Sequence, residues 1–419
     1  MLKLTYLFHS GFILETEGCI LIFDYWMDPS NSLPNIMKQA KGKQVYVFAS
    51  HFHADHFTRD IFKWKELYPY DHFTYILSKD IKKHHRAQSN EADVWMAKGA
   101  VWNDSNIKVS ATGSNDSGVS WIVDIADLRI FHAGDLCNWY ARFLANNDGK
   151  EVVYSKEFNI WINPINEEKR FLGELKDIRK ITDSFDLVMF PVDGRIGNGY
   201  TRGARQFIQQ FKTALFVPMH FVMSGFEAAW RMKPFCDDQH IPFWSIQAEG
   251  ESITLAYDCI IRHATIADIP RLKEIFSHAR AFMTKTGNPH QWTANYPNDE
   301  LLHHDIMNND CYVVIHDHQV EASFVLHNGI EPAYATIHNG AWLNNEPYAT
   351  LHRVASSGKV KGMFHLIMLF AKMSYNNLRI DTYQDNKVMQ RAIVKENFKY
   401  CGRVHYPLAG ERLGYHFVK

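Results

Sequence analysis

Four side chains that can bind a metal ion lie within six residues of one another in this chain. They are His51, His53, Asp55 and His56, and they directly follow an apolar run, residues 45–49, that predicts a β-strand. Alternate side chains of an extended chain face opposite ways, so the four cannot all point at one ion. His51 and His53 share one face, and the turn after them can swing the next two ligands toward a neighbouring point. The segment therefore predicts two adjacent metal positions, a first position with His51 and His53 and a second position with the other pair.

Each position needs further ligands, and a family resemblance suggests where they come from. All four side chains match the HxHxDH signature of the metallo-β-lactamase superfamily, which the segment resembles. Gly134 and Asp135, after a β-type run, are similar to the superfamily's Gly-Asp, which implies that Asp135 bridges both metal ions. His220, after another such run, is similar to its last His ligand, which implies a place at the second position. Because both motifs follow predicted strands, we expect the ligands to gather at one edge of the sheets.

Other residues are expected around the ions. The apolar runs at residues 6–14 and 20–24 resemble the opening hairpin of the same superfamily. This resemblance implies that Asp24 orients a ligating histidine and does not bind an ion itself. Asp193 and Arg195, at another predicted strand end, could line the pocket; a turn aspartate and a solvated arginine explain them equally well.

One ligand of the superfamily pattern is missing. Ser114 stands where many members carry a histidine in a Gly-His-Thr turn, and serine binds zinc poorly. The first position would then keep only its two histidines and the shared Asp135. Asp116 or His9 could fill the gap, although short polar turns and lone histidines usually have structural explanations. His132 is a weaker candidate, because strand alternation points it away from the face that Asp135 uses.

Divalent ions at these positions imply hydrolysis. A bound ion lowers the pKa of water to about 7 and polarises the bond to be broken. Zinc is the commonest ion at imidazole and carboxylate sites, and manganese and iron suit the same ligands. We therefore expect a metal-dependent hydrolase with one or two divalent ions.

The second half of the chain changes character at about residue 261. Thr265 followed by Asp268 predicts the start of a helix, and two β-runs, residues 311–315 and 320–326, predict a hairpin. Further on, a strand opens into a loop of small and basic residues, and an apolar helix follows from residue 363. Proteins hold a pyrophosphate with such a loop and helix N-terminus, through backbone N–H groups and the helix dipole. An ordinary basic surface turn is the alternative.

The order of these elements resembles the GNAT-type N-acetyltransferase fold up to the C-terminus. The resemblance implies that acetyl-CoA is bound by Val354, Ala355, Lys359, Val360, Lys361, Gly362 and Asn386. The chain departs from the GNAT pattern at Phe364, which ends the loop in place of a small residue, and at Ile393, where many members carry a tyrosine general acid. His352, Asp381 and Tyr400 lie near the expected transfer site and could exchange protons there.

These patterns predict an α/β protein of two domains. Residues 1–258 would form a metallo-β-lactamase sandwich with αββα layers. Residues 259–419 would form an α+β GNAT domain with a mixed, splayed sheet. A chain of 419 residues with 46% apolar content can fill two such cores.

Composition narrows the choice of substrate and location. The 45 basic and 46 acidic residues nearly balance, and no basic stripe suits a nucleic acid, so we expect a small-molecule substrate. Six scattered cysteines without a CxxC pair, no signal-peptide pattern and no membrane-spanning run predict a cytoplasmic protein that does not bind membranes. The oligomeric state stays open.

Three functional classes follow. Both domains could be enzymes that act on one small molecule. Alternatively, only the acetyltransferase is active and the hydrolase fold is a scaffold, which the serine at position 114 favours. In the third class only the hydrolase is active and the other domain senses acetyl-CoA, which the altered loop favours. The retained metal-type residues place the hydrolase first.

Overall fold

The computed structural model describes residues 2–39, 42–69, 72–145, 152–155, 159–256, 259–407 and 410–419. The chain divides into two compact units, an N-terminal unit of Leu4–Glu251 and a C-terminal unit of Ser252–Lys419 with the first three residues. The boundary predicted after residue 258 falls at residues 257–258, outside the described residues, and stays a prediction.

The N-terminal unit contains two main β-sheets. Its strands are β1 (Leu2–Phe8), β2 (Gly11–Glu15), β3 (Cys19–Phe23), β4 (Gln44–Ala49), β5 (His72–Ser78), β6 (Val94–Met96), β7 (Val101–Asn103), β8 (Ile107–Gly113), β9 (Val119–Ile125), β10 (Leu128–His132), β11 (Val153–Ser155), β12 (Ile160–Ile162), β13 (Ser184–Phe185), β14 (Leu187–Pro191), β15 (Lys212–Thr213) and β16 (Phe216–Met219). One sheet has the order β1-β2-β3-β4-β5-β6, and the other has the order β16-β14-β10-β9-β8-β7.

Helices cover the outer faces of these sheets. They are α1 (Ser32–Gln39), α2 (Trp64–Leu67), α3 (Lys79–Lys83), α4 (Ala141–Ala145), α5 (Pro164–Arg179), α6 (Arg202–Ile208), α7 (Phe226–Trp230) and α8 (Lys233–Asp238), with 3₁₀ turns at Arg59–Lys63, Gly194–Ile196 and Val222–Ser224.

The two sheets pack face to face, with the helices outside. Phe48 of the first sheet meets Trp121 of the second, with ring centroids 5.6 Å apart. On the outside, α1 and α3 bury Leu33 and Ile81 against the first sheet. On the other side, Phe207 of α6 stacks on the second sheet. The predicted αββα sandwich is therefore confirmed.

Parallel strands bring the site residues to one edge of the sandwich. Strands β3, β4 and β5 run parallel in one sheet, and β10, β14 and β16 run parallel in the other. They read as apolar runs because both of their faces are covered. The HxHxDH segment follows β4 directly, and the three strands of the second sheet are followed within a few residues by Asp135, Asp193 and His220.

The C-terminal unit is built on one mixed sheet. Its strands are β17 (Ser252–Ala256), β18 (Cys259–His263), β19 (Cys311–His316), β20 (Gln319–Asn328), β21 (Ala349–Ser356), β22 (Asn377–Thr382), β23 (Lys399–Tyr406) and β24 (Gly410–Val418). Its α-helices are α9 (Ile269–Lys285), α10 (Asp299–Met307), α11 (Met363–Ser374) and α12 (Lys387–Lys395), with 3₁₀ turns at Ile266–Asp268 and Pro332–Tyr334.

This sheet opens between its two parallel strands. Strands β21 and β22 pair in parallel only from Ala349 to Leu351, although β21 continues to Ser356. The other pairings in the sheet order β17-β18-β19-β20-β21-β22-β24-β23 that the described residues define are antiparallel. Helices α9 and α10 pack on one face, and α11 and α12 pack on the other. The mixed, splayed sheet expected from the sequence is confirmed.

The structure also contains the turns and helix caps that local sequence signals predict. Thr265 and Asp268 form a capping box at the 3₁₀ turn before α9, and the hairpin turn between β19 and β20 places Asp317 and His318 at positive φ. Asn386 caps α12 by accepting a hydrogen bond from the Met389 N–H. Among the described residues, no helix is both long and apolar enough to cross a membrane.

The capping box gives a test of the C-terminal unit. The buried Asp268 carboxylate accepts from the Thr265 N–H at 2.7 Å and pairs with Arg262 at 2.7 Å. Burial raises its pKa, but Arg262 and Thr265 hold the net pKa below the usual value. We expect Asp268→Asn to lower the free energy of unfolding by about 1–3 kcal/mol at pH 7, the scale of hydrogen bonds to a charged group. The loss should begin to shrink as the pH falls through about 3.9, the ordinary aspartate pKa, where the unfolded carboxyl protonates. It should disappear only below the lowered pKa of native Asp268, where the native carboxyl protonates as well.

Calorimetry of the full chain across this pH range measures the effect. The matched control is Asp299→Asn, whose exposed carboxylate pairs with Lys273 and should contribute under about 1 kcal/mol. Equal losses in the two variants would contradict the assignment.

Candidate metal centre and cofactor cleft

Side chains with metal-binding atoms converge in two groups at the edge of the N-terminal unit. The ligand atoms of each group lie within 4.8 Å of one another. The group at the first position is His51, His53 and Asp135, and the group at the second position is His9, Asp55, His56 and His220. The structure brings together all the residues that the motifs named as ligands, and it adds one more at the second position.

Asp135 lies between the two groups. Its Oδ2 atom is 3.2 Å from Nε2 of His51 and 3.9 Å from Nδ1 of His53. Its Oδ1 atom is 3.0 Å from Nε2 of His56 and 3.3 Å from Nε2 of His220. Burial raises the pKa of Asp135, but the surrounding histidines hold it well below the usual value, so the carboxylate is ionised. One oxygen is thus available to each position, as a bridging ligand requires.

Buried polar atoms at the second position fit a cation. Within the described part of the chain, Nε2 of His9, His56 and His220 and Oδ1 of Asp135 are buried without a hydrogen bond. An unsatisfied buried polar group costs about 1–3 kcal/mol. A divalent ion among these imidazole and carboxylate atoms would satisfy all of them, and these are atom types that zinc, iron and manganese bind.

Asp24 orients one of these histidines, His56, through a hydrogen bond to the ring nitrogen that faces away from the second position. The fully buried Asp24 carboxylate accepts from Nδ1 of His56 at 2.7 Å and from the Ser50 N–H at 2.7 Å. This leaves Nε2 of His56 facing the second position. His132, in contrast, donates from Nε2 to the Ser10 carbonyl at 2.9 Å and is not part of either group.

Asp193 holds a second histidine in the same way. Its Oδ2 atom accepts from Nδ1 of His220 at 2.9 Å and from Nε of Arg195 at 2.9 Å. Ser224 donates to its other oxygen at 3.1 Å. Asp193 therefore orients the His220 ring and also forms part of the pocket wall.

His9 lies at the second position and not at the first, where the sequence suggested that it could fill a gap. It occupies the turn between β1 and β2 at φ 55°, and its carbonyl accepts from the His220 N–H at 3.0 Å. This hydrogen bond sets the turn beside the end of β16, so the His9 ring lies 3.9 Å from the His220 ring. Burial lowers the pKa of His9 to about 4, which keeps the ring neutral at pH 7.

The first position is more open. The side chain of His53 is 40% exposed, and its Nδ1 lies 2.9 Å from Nε2 of His51. Ser114 accepts a hydrogen bond from the Asp116 N–H and is in neither group. Asp116 lies nearby: burial and Asp135 raise its pKa, while His51 and His53 act in the opposite direction.

A cleft of about 300 Å³ opens over the two positions. It is lined by Asp55, Asp116, Asp135, Trp139, Tyr140, Arg142, Asp193, Arg195, Ile196 and His220. Sequence reasoning missed Trp139, Tyr140 and Arg142, although they follow the Gly-Asp motif closely. Their cation and rings give the cleft the means to bind an anionic or aromatic group.

A second cavity, also of about 300 Å³, lies in the C-terminal unit beside the end of β21. Its lining is mostly apolar and comes from α9, the end of β21 and the first turns of α11 and α12. Of the residues expected to bind acetyl-CoA, Val354, Ala355 and Asn386 line this cavity. Lys359, Val360, Lys361 and Gly362 form the turn between Gly358 and Met363, both of which line it.

The three residues proposed for proton exchange are not one cluster. His352 donates from Nε2 to Glu331 at 3.0 Å. Asp381 accepts from Tyr334 at 2.8 Å and from Tyr406 at 2.8 Å. Tyr400, on β23, is 51% exposed and lies outside this network.

Sequence reasoning missed Glu331, Tyr334 and Tyr406, because they reach the network from distant loops and strands. Burial and Asp381 raise the pKa of both tyrosines, so their hydroxyls stay protonated at neutral pH.

Comparisons with known proteins found similarities for both parts of the chain. Residues 3–148 match the family model described as "Beta-lactamase superfamily domain". A GNAT family acetyltransferase from Streptococcus agalactiae is 32% identical over 40% of this chain and 99% of its own, with a TM-score of 0.36. Igni18, a metallo hydrolase from Ignicoccus hospitalis, is 16% identical over 61% of this chain and 99% of its own, with a TM-score of 0.43. A GNAT family acetyltransferase from Listeria monocytogenes is 16% identical over 42% of this chain and 99% of its own, with a TM-score of 0.30. No curated protein matches the sequence significantly.

The chain therefore carries a β-lactamase superfamily domain at its N-terminus. Its C-terminal part is similar to acetyltransferases of the GNAT family. Both resemblances inferred from the sequence motifs are confirmed.

Gly118 gives a test of how the backbone supports the first position. At φ +65°, a Cβ atom there would lie 2.0 Å from the Ser50 carbonyl oxygen and 2.5 Å from Cβ of His51. We expect Gly118→Ala to destabilise the protein by about 3 kcal/mol, because about 1–2 kcal/mol of left-handed strain adds to about 1–3 kcal/mol of overlap.

The matched control is Gly99→Ala, at φ +86° with no atom within 4 Å of the added Cβ. It should carry only the strain of about 1–2 kcal/mol. Calorimetric melting of the two variants compares them, and equal destabilisation would argue against close packing beneath His51.

Proposed function

We propose that the N-terminal unit hydrolyses a small molecule with divalent metal ions at the two positions, and that the C-terminal unit transfers an acetyl group from acetyl-CoA to an amine. The observation that carries the first part is the placement of the Asp135 carboxylate, one oxygen toward each group of histidines. Zinc is the first candidate ion, and manganese and iron suit the same ligands.

Different residues of the chain would have different roles in hydrolysis. Bound divalent ions supply a nucleophile from water at neutral pH and polarise the bond to be broken. Asp24 and Asp193 keep Nε2 of His56 and His220 aimed at the ions through their hydrogen bonds to Nδ1. Asp116 lines the cleft with a raised pKa and is placed to take up a proton.

The cleft supports a small substrate. Its volume of about 300 Å³ lies at the lower end of small-molecule pockets. The Arg195 guanidinium, 46% exposed beside Asp193, can bind a carboxylate or phosphate group of the substrate. All six cysteines are free, which supports a reducing compartment such as the cytoplasm, where acetyl-CoA is also present.

The acetyltransferase part rests on the apolar cavity at the end of β21. A pantetheine chain would fit this cavity, while its pyrophosphate would meet the first N–H groups of α11 and the exposed Lys359 and Lys361. His352, paired with Glu331, is the candidate for accepting the amine proton. If acetyl-CoA binds without transfer, the unit is an acetyl-CoA sensor; if no metal binds, the N-terminal unit is a scaffold.

Removing the shared ligand tests the hydrolase. We expect Asp135→Ala to lose most of the metal that the wild-type protein retains, about one or two ions per chain, because it removes a ligand from both positions. Elemental analysis after purification without added metal or chelator measures this. Asp237→Ala, which removes an exposed carboxylate paired with Lys233, should keep the wild-type content. Full metal retention in Asp135→Ala would contradict the proposal.

A thermal shift tests the acetyltransferase part. Acetyl-CoA at about 100 times its Kd should stabilise the C-terminal unit by about 2.7 kcal/mol and raise its melting temperature. The double variant Lys359→Ala/Lys361→Ala should need more ligand for the same shift, whereas Lys395→Ala, on the exposed end of α12, should behave as wild type. The absence of any shift at millimolar acetyl-CoA would rule out this cofactor.

A further inference from the structure

The two metal positions differ in their number of ligands. The first position has His51 and His53 with Oδ2 of Asp135. The second has His9, Asp55, His56 and His220 with Oδ1 of Asp135. Compared with the superfamily pattern, an imidazole is missing at the first position, where Ser114 stands, and an imidazole is gained at the second.

The gained imidazole belongs to His9, whose ring lies at ion-pair distance from Asp55 and edge-on to the Trp26 ring. His9 is 1% exposed, and neither of its ring nitrogens has a hydrogen bond within the described part of the chain. Its Nε2 lies 3.3 Å from Oδ2 of Asp55, a contact that lacks hydrogen-bond geometry. Buried imidazoles normally have a hydrogen-bond partner for at least one nitrogen. The His9 ring nitrogens, which have none, therefore fit a role in binding a metal ion.

The backbone fixes His9 against another ligand of the same position. The His9 carbonyl accepts from the His220 N–H at 3.0 Å, and the two rings lie 3.9 Å apart. The rings of His9 and His56 meet edge to face, with centroids 5.7 Å apart. Three imidazoles therefore surround one point without any rearrangement of the chain.

The two positions also differ in enclosure. At the second position His9, His56 and His220 are all buried, while at the first position the side chain of His53 is 40% exposed. Nε2 of His51 already lies at hydrogen-bond distance from Nδ1 of His53, so an ion at the first position must displace that contact. At the second position an ion would displace no hydrogen bond of the facing atoms.

We propose that His9 is a metal ligand of the second position, and that this position takes up its ion before the first position and holds it more tightly. The proposal rests on the metal-dependent function proposed above. It makes the first position, with three protein ligands, the open one at which water and substrate can exchange. The second position, where His9, Asp55, His56, His220 and Asp135 all offer ligand atoms, would then leave less room for water on its ion.

Zinc titration of the full-length protein, first stripped of metal and then titrated against a competing chelator, tests the order of binding. The wild type should show one tight equivalent followed by a weaker one. His9→Asn should weaken the tight equivalent by about tenfold or more, at least the effect of losing a residue that only supports a ligand. Asparagine accepts positive φ, so this variant should keep the turn. His53→Ala is the matched control and should keep the tight equivalent and lose the weak one.

The number of imidazoles around the first ion gives an independent measurement. X-ray absorption of the wild type loaded with one equivalent of zinc should show three imidazole ligands, against two if the first position fills first. This result decides the proposal even if His9→Asn fails to fold, which circular dichroism of the metal-free variant would reveal.

The outcomes separate the two proposals. If the wild type binds no metal, the hydrolase proposal fails and this inference fails with it. If the wild type binds metal but His9→Asn keeps the tight equivalent, or His53→Ala loses it, only the inference about His9 is overturned.

Discussion

The buried carboxylate of Asp135 is the interaction on which the candidate site depends. It lies 3.0–3.3 Å from imidazole nitrogens of both groups, and it is almost fully enclosed. A buried carboxylate is expensive unless positive charge surrounds it. The histidines supply that charge when protonated, and metal ions would supply it at neutral pH. The same charge balance therefore governs the stability of this edge and its ability to bind ions.

The parallel strands of the fold bring Asp135 and the histidines around it together. Because β4 and the strands β10, β14 and β16 end at the same edge, residues far apart in the chain meet there. Behind the ligands, Asp24 and Asp193 each hold the far nitrogen of one histidine. The histidines are thus oriented before any ion arrives, which lowers the entropic cost of binding. In the C-terminal unit, the end of β21, beyond its parallel pairing with β22, instead lines an apolar cavity together with helices α9, α11 and α12.

Much of this could be predicted from short motifs. His51 to His56 carry their chemistry in local spacing, and the two-position interpretation needed only the alternation of side chains along an extended chain. The capping box at Thr265 is equally local, since its two partners are only three positions apart in the sequence. In contrast, Glu331 meets His352 only because a loop folds back over the sheet. No pattern within a few residues signals a contact of that kind.

Local patterns in the chain were enough to predict the fold class of both parts, the candidate ligands of the motifs, the serine at position 114 and a role for Asp24 behind a histidine. The fold was needed to place His9 beside His220, to show that Asp193 also orients His220, and to add Trp139, Tyr140 and Arg142 to the cleft. The two kinds of information differ in the sequence separation over which they act. Periodicity and turn chemistry act over a few residues, whereas the candidate ligands come together from strand ends that are remote in sequence. The hydrogen bond from the His220 N–H to the His9 carbonyl joins two such ends.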